Sequence, residues 1–273
     1  MKLQYLGTAA FEGIPALFCQ CDACKEAAKR GGRNIRTRSQ AVVDDSLLID
    51  FPADTYSHYI KYNIPMWQIK TCLITHSHSD HLYPNDLETR MPGFSHISDP
   101  EPVTVYSAKA SYDEINKINL SPSVVKTVLI KPFEPFEADG YTITALNAAH
   151  APKTDPYIYL IEKGGKTLLY SNDTGIYPDD TWEYLRKFKK TIDLVSLDCT
   201  NCETPVNYFG HMGLPECIET RKKLYEIGVC TESTRFVLNH FSHNGKHSLY
   251  DDLLKTAEKE NFDVSYDGMI VEF

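Results

Sequence analysis

Apolar residues in this chain fall in many short runs, most of them bounded by polar or turn-forming residues. The opening KLQYLGTA predicts a strand that ends in a Gly-Thr turn. In SQAVVDDSLLIDF two aliphatic runs, AVV and SLLID, are split by Asp44 and Asp45, as a hairpin would split them. TCLIT, VTVYS, TVLI, YTITALN, YIYLIE, KTLLYS, DLVSLD and RFVLNH predict further strands. Helical spacing appears in CDACKEAAKRG, DTWEYLRKFKK, GLPECIETRKKLYEIG and HSLYDDLLKTAEKEN. Strands crowd the first half and then alternate with helices, which predicts an α/β domain of stacked sheets flanked by helices. No repeat, low-complexity segment or linker divides the chain, so residues 1–273 read as one domain.

Composition narrows this picture. With 273 residues and 42% hydrophobic content, the chain can bury a sizeable core. No apolar run approaches the roughly 20 residues that cross a bilayer. MKLQYLGTAAFEG lacks the long apolar stretch and cleavage site of a signal peptide, so a cytoplasmic location is expected, with no membrane partner. A net charge of −9 disfavours extensive nucleic-acid binding, which relies on Lys and Arg releasing counterions. The basic exception is RGGRNIRTR, with Arg30, Arg33, Arg36 and Arg38, read first as a solvated loop and second as an anion-binding patch. Eight cysteines without a secretory signal point to metal rather than to disulfides.

The densest chemistry lies in TCLITHSHSDHL, where His76, His78, Asp80 and His81 occupy six positions after an apolar run. His76 and His78, two apart, project to the same side of an extended segment, and Asp80 and His81 follow as the chain turns. Imidazole nitrogen and carboxylate oxygen suit zinc, manganese or iron, and four such groups in six residues outweigh the reading of a merely polar loop.

THSHSDH resembles the HxHxDH signature of the metallo-β-lactamase superfamily. That resemblance implies an αββα sandwich, two stacked mixed sheets flanked by helices, with two divalent cations bound at strand ends. It implies three more ligands, met in order by His150 after YTITALN, Asp173 after KTLLYS and His240 after RFVLN. By position, His76, His78 and His150 would hold one cation, Asp80, His81 and His240 the second, with Asp173 between them. Asp50 matches a family aspartate that orients the ligand loop. Such a pair of cations acidifies a bridging water and neutralises charge on the group attacked, so metal-dependent hydrolysis is implied.

FCQCDACKEAAKRG adds Cys19, Cys21 and Cys24, one ligand short of a tetrahedral zinc, and His243 in NHFSHNG is the candidate fourth. The CxCxxC knuckle at 19–24 together with HxxH resembles the PhnP-like phosphodiesterases, which implies one structural zinc besides the two active-site cations. In FGHMGLPE, His211 matches a family histidine near the leaving group. The implied substrate is a small cyclic or nucleotide-like phosphodiester, with Asp80 and His211 as catalytic residues. Arg36 and Arg38, and Tyr83, Arg90, Phe94 and His96 in the segment after the first motif, are candidate substrate neighbours. Cys199 and Cys202 read as packing or helix-start residues, and Cys72, Cys217 and Cys230 as core. Rival readings are a tRNA 3′-processing-type nuclease, a lactonase or thioesterase of the same fold, and a non-catalytic metal-dependent binding protein related to PqqB. A homodimer is allowed.

Overall fold

The computed structural model describes every residue except Asp99, Asn207 and Tyr208. In chain order the elements begin with β1 (Lys2–Gly7), α1 (Asp22–Arg30), β2 (Gln40–Val43), β3 (Leu47–Ile49), α2 (Thr55–Tyr62) and β4 (Thr71–Leu73). They continue with β5 (Val103–Ser107), α3 (Lys109–Asn116), β6 (Val125–Leu129), β7 (Phe136–Ala138), β8 (Tyr141–Asn147), β9 (Tyr157–Lys163) and β10 (Lys166–Ser171). Last come α4 (Asp179–Lys187), β11 (Leu194–Asp198), α5 (Leu214–Glu226), β12 (Arg235–Asn239), α6 (Tyr250–Ala257), β13 (Asp263–Val264) and β14 (Ile270–Glu272).

Among the described residues the strands form two seven-stranded sheets, ordered β14-β1-β2-β3-β4-β5-β6 and β13-β12-β11-β10-β9-β8-β7. Each is mixed: β3 to β6 run parallel in one, β10 to β13 in the other, and the remaining pairs are antiparallel. Side-chain alternation decides the layers. Ala41, Val43, Leu47 and Ile49 face Tyr159, Leu168 and Tyr170 in the core between the sheets. Val42 and Leu48 point the other way, to a core that includes Ile64, Ile69 and Ile115. Leu169 and Leu197 likewise leave the central core to pack with Trp182, Cys217 and Leu253 from α4, α5 and α6. This is the αββα sandwich, and a truncation such as Leu48→Ala in it costs about 2–5 kcal/mol.

The hairpin turn is made by Asp44 and Asp45, both at positive φ, and it sets Ala41 opposite Ile49. The sequence pattern missed α2 and α3, whose buried residues are only Thr55 with His58 and Ser111 with Ile115, too polar to register as an apolar stripe. It also missed β7, β13 and β14, which are two or three residues long and exist by pairing with a neighbour. Cys199 and Cys202 pack in the core with Cys217 and Cys230, and Cys72 in the outer core beside β5.

Parallel pairing puts the carboxyl ends of the key strands along one edge of the sandwich. Asp50 follows β3, His76 to His81 follow β4, His150 follows β8, Asp173 follows β10, Asp198 ends β11 and His240 follows β12. The two sheets are joined there by Tyr157 N–H to Thr75 O at 2.8 Å and Tyr159 Oη–H to Ile74 O at 2.6 Å.

Candidate metal centre

His76, His81, His150 and His240 are each oriented by a protein oxygen on one ring nitrogen, which leaves the other nitrogen aimed inward. Thr75 Oγ1 donates to Asp50, so it takes the His76 Nδ1 proton at 3.1 Å. His81 Nδ1 donates to Asp50 Oδ2 at 2.7 Å. His150 Nδ1 donates to the Gly210 carbonyl at 3.0 Å. Thr200 Oγ1 donates to Asp198 Oδ1 at 2.9 Å and so takes the His240 Nδ1 proton at 2.8 Å. Such partners fix tautomer and ring direction in metal sites. Asp50 and His240 leave their strands with φ of 67° and 63°, a conformation that costs energy in non-glycine residues and that aims both side chains at the edge.

The inward atoms then converge on one another. His78 Nδ1 lies 2.9 Å from His76 Nε2 and 3.1 Å from His150 Nε2. His81 Nε2 lies 3.3 Å from His240 Nε2, 3.3 Å from Asp80 Oδ2 and 3.2 Å from Asp173 Oδ2. Asp173 Oδ1 is buried with no hydrogen-bond donor although His240 Nε2 is 3.1 Å away. Asp173 also lies 3.8 Å from His76 Nε2, so it faces both groups. Buried nitrogen and carboxylate oxygen atoms converging in this way are the ligand types and arrangement that a cation satisfies. The residues fit divalent metal in two sets, His76, His78 and His150, and Asp80, His81, Asp173 and His240.

Electrostatics point the same way. Burial, with His81 nearby, holds His76 well below the ordinary imidazole pKa. Burial also lowers His78 and His240, so all three are in the neutral, ligating form. For His81 burial opposes charge, yet Asp173, Asp80 and Asp50 hold its pKa well above normal. For Asp173 burial is likewise outweighed, by His240 and His81, which hold the carboxyl well below its usual range.

His211 stands beside this set, its ring centroid 4.7 Å from His150 and 5.6 Å from His240. Its Nδ1 donates to Asp198 Oδ2 at 2.8 Å, and although burial opposes the charge, Asp198 raises its pKa to about 9. Asp198 thus favours the protonated form of His211 and fixes its ring. Gly210, at φ 124°, supplies the carbonyl that holds His150 immediately before His211, and a Cβ there would meet His150 Nδ1 at 3.5 Å.

Away from this edge, Cys19, Cys21, Cys24 and His243 bring their ligand atoms within 4.8 Å of one another. His243 Nδ1 is 3.4 Å from Cys21 Sγ and 3.6 Å from Cys19 Sγ, close to the ~3.8 Å edges of a tetrahedron with 2.3 Å metal–sulfur bonds. Cys21 precedes α1, where the Cys24 N–H and His243 lower its thiol to about 6, while burial pushes Cys24 up to about 12. The set fits one zinc.

A cavity of about 370 Å³ opens on the edge, and Arg36, Arg38, Tyr83 and Arg90 do not line it. Arg36 is 2% exposed, stacked 4.1 Å over Phe241, and donates to Thr8 Oγ1 at 2.8 Å and Ser265 O at 2.6 Å, so it is a core residue. Arg38 pairs with Asp54 at 2.9 Å, and Arg90 donates to Glu101 O at 2.6 Å. The Tyr83 N–H binds Phe51 O at the head of a 3-10 turn over Pro84–Arg90, which also leaves Phe94 and His96 outside the cavity lining. The lining comes instead from Phe11, Glu12, Ser79, Thr200, Ser242 and Asn244 beside the His and Asp cluster. Sequence reasoning missed these, and it missed Asp198, although a carboxylate closing a strand as Asp50 does was a usable signal.

Residues 61–241 match the family model described as the Beta-lactamase superfamily domain. Among curated proteins no sequence match is found. Solved structures share the fold over the full chain. One is described as a new diphosphatase from the PhnP family, at 21% identity and a TM-score of 0.75, covering 100% of this chain and 97% of that one. Zn(2+)-bound PqqB from Methylobacterium extorquens follows at 20% identity and TM-score 0.73, with both chains covered 100%. Human tRNase Z, short form, gives 16% identity and TM-score 0.67, covering 100% and 99%.

Proposed function

Since the chain belongs to the beta-lactamase superfamily, we propose that its clustered histidines and aspartates hold two divalent cations and that it hydrolyses small phosphodiesters. The observation that carries this reading is His211. Its ring stands next to the candidate ligands, 4.7 Å from His150 and 5.6 Å from His240, with Nδ1 anchored on Asp198 at 2.8 Å. Cations in the two sets would acidify a bound water and neutralise the phosphate oxygens. His76, His78 and His150 on one side, and Asp80, His81, Asp173 and His240 on the other, would keep those cations at fixed places on the strand edge. His211 is then the group that gives a proton to the departing alkoxide, a step typically worth 10²–10⁴-fold. Cys19, Cys21, Cys24 and His243 would hold a structural zinc that ties the amino-terminal loop to the segment after β12.

A cavity of about 370 Å³ suits a small molecule. Among the described residues no Lys or Arg lines it, which counts against the nuclease reading. The test is turnover of bis(p-nitrophenyl) phosphate by protein loaded with Mn²⁺ or Zn²⁺, with Asp80→Ala as the blank. Metal-dependent release of p-nitrophenolate that the substitution abolishes is the expected result. No turnover by a fully loaded protein, with hydrolysis of lactones or thioesters instead, would overturn the phosphodiesterase reading.

A further inference from the structure

Resting on the phosphodiesterase reading, we propose that Glu12 sets substrate choice by accepting an arm that carries hydroxyl groups and rejecting one that ends in a phosphate. Among the described residues lining the cavity, the carboxylates are Glu12, Asp80 and Asp173, no Lys or Arg joins them, and the lining His211 is already paired with Asp198 at 2.8 Å. Asp80 and Asp173 belong to the candidate ligand set, where cations answer their charge. Glu12 lies outside that set and presents its charge to whatever enters.

Its position is fixed from both sides. The Ser242 hydroxyl donates to Glu12 Oε1, and His243 Nε2 is 3.8 Å from the same oxygen, while His243 Nδ1 faces the cysteines. The backbone of the turn is tied down by Ala10 N–H to Phe241 O at 2.9 Å, Gly13 N–H to Ala10 O at 3.0 Å and Ile14 N–H to Arg36 O at 2.9 Å. The carboxylate is therefore part of the wall. Beside it, Ser242 and Asn244 offer further hydrogen-bonding groups, and Phe11, 58% exposed, offers an apolar face for a ring. A sugar hydroxyl can donate to this wall. A terminal phosphate dianion placed against Glu12 meets a fixed like charge, and discrimination by such a repulsive element is a general device of specificity.

The experiment compares two p-nitrophenyl esters of thymidine 3′-phosphate, one with a free 5′-hydroxyl and one with a 5′-phosphate, on metal-loaded protein. The ratio of their kcat/KM values is expected to favour the 5′-hydroxyl compound at least tenfold. Glu12→Gln, which keeps size and the Ser242 contact, should bring that ratio within about threefold of unity, and Asn244→Lys, on an exposed residue of the same wall, should move it the same way. Calorimetric binding of thymidine 3′-phosphate and thymidine 3′,5′-bisphosphate reads the same preference without turnover. If neither ester is hydrolysed but the binding preference follows Glu12, the phosphodiesterase reading fails and the role of Glu12 stands. Equal handling of the two arms by the unmodified protein, or a preference that Glu12→Gln leaves in place, would overturn the proposal.

Discussion

Asp198 Oδ2 accepts the His211 Nδ1 proton at 2.8 Å, while Oδ1 of the same carboxylate holds Thr200, which takes the Nδ1 proton of His240. One strand-end aspartate thus orients both the candidate proton donor and a candidate ligand. The proton-donor role separates substrates by leaving group. His211→Asn should cost about 100-fold or more in kcat on an alkyl phosphodiester, whose alkoxide needs a proton, and under about tenfold on a p-nitrophenyl ester, which does not. Steady-state kinetics on the two esters checks this. Equal losses on both would assign His211 to binding instead.

Asp50 acts at one remove. It takes hydrogen bonds from Thr75 N and Thr75 Oγ1 and from His81 Nδ1 at 2.7 Å, and it is fully buried. Asp50→Asn removes the charge that orients His81 and should weaken metal at the edge about 10–100-fold, the usual effect of such a partner. Competition with a chromogenic chelator measures it, and unchanged affinity would contradict the role.

The cysteine set should be independent of the edge in stoichiometry. Cys21→Ser is expected to lower bound zinc by one equivalent per chain and to reduce Tm, since metal at a structural site contributes directly to folding. Elemental analysis and thermal denaturation on one preparation check it. Loss of all metal would mean that the two sites fill only together.

Arg36 separates stability from binding. Burial lowers its pKa to about 10, against the opposing influence of buried Asp267. Arg36→Ala should destabilise the fold by about 2–5 kcal/mol, because it opens a cavity beside Phe241 and takes a buried donor from Thr8 and Ser265. KM for a phosphodiester should stay within about threefold in the protein that remains folded. Denaturant titration and kinetics distinguish this from a phosphate-binding role, which would raise KM with little change in stability.

These assignments mark where the sequence was legible. Strand runs such as YTITALN and KTLLYS and the Asp44–Asp45 turn carried their own signals, and the crowded motif from His76 to His81 implied distant partners that the strand edge brings together. Arg36 misled because its partners Phe241, Ser265 and Asp267 are some 200 residues further on, and nothing local in RGGRNIRTR reports burial. The other arginines of that run also have internal partners: Arg30 on Asp252, Arg33 over Tyr266, Arg38 on Asp54. Glu12 had no signal at all, since its role depends on Ser242 and His243 arriving from the far end of the chain.

The central claim is that two cations on the strand edge perform the hydrolysis, and metal titration tests it most directly. Chelator-stripped protein would receive Mn²⁺ or Zn²⁺ in increments, with bound metal and bis(p-nitrophenyl) phosphate turnover followed on the same samples. Turnover is expected to rise as the pair of edge sites fills, and Asp173→Ala, lacking the carboxylate that faces both sets, should bind less metal there and stay inactive. Full turnover before the edge sites fill, or undiminished turnover in Asp173→Ala, would contradict it.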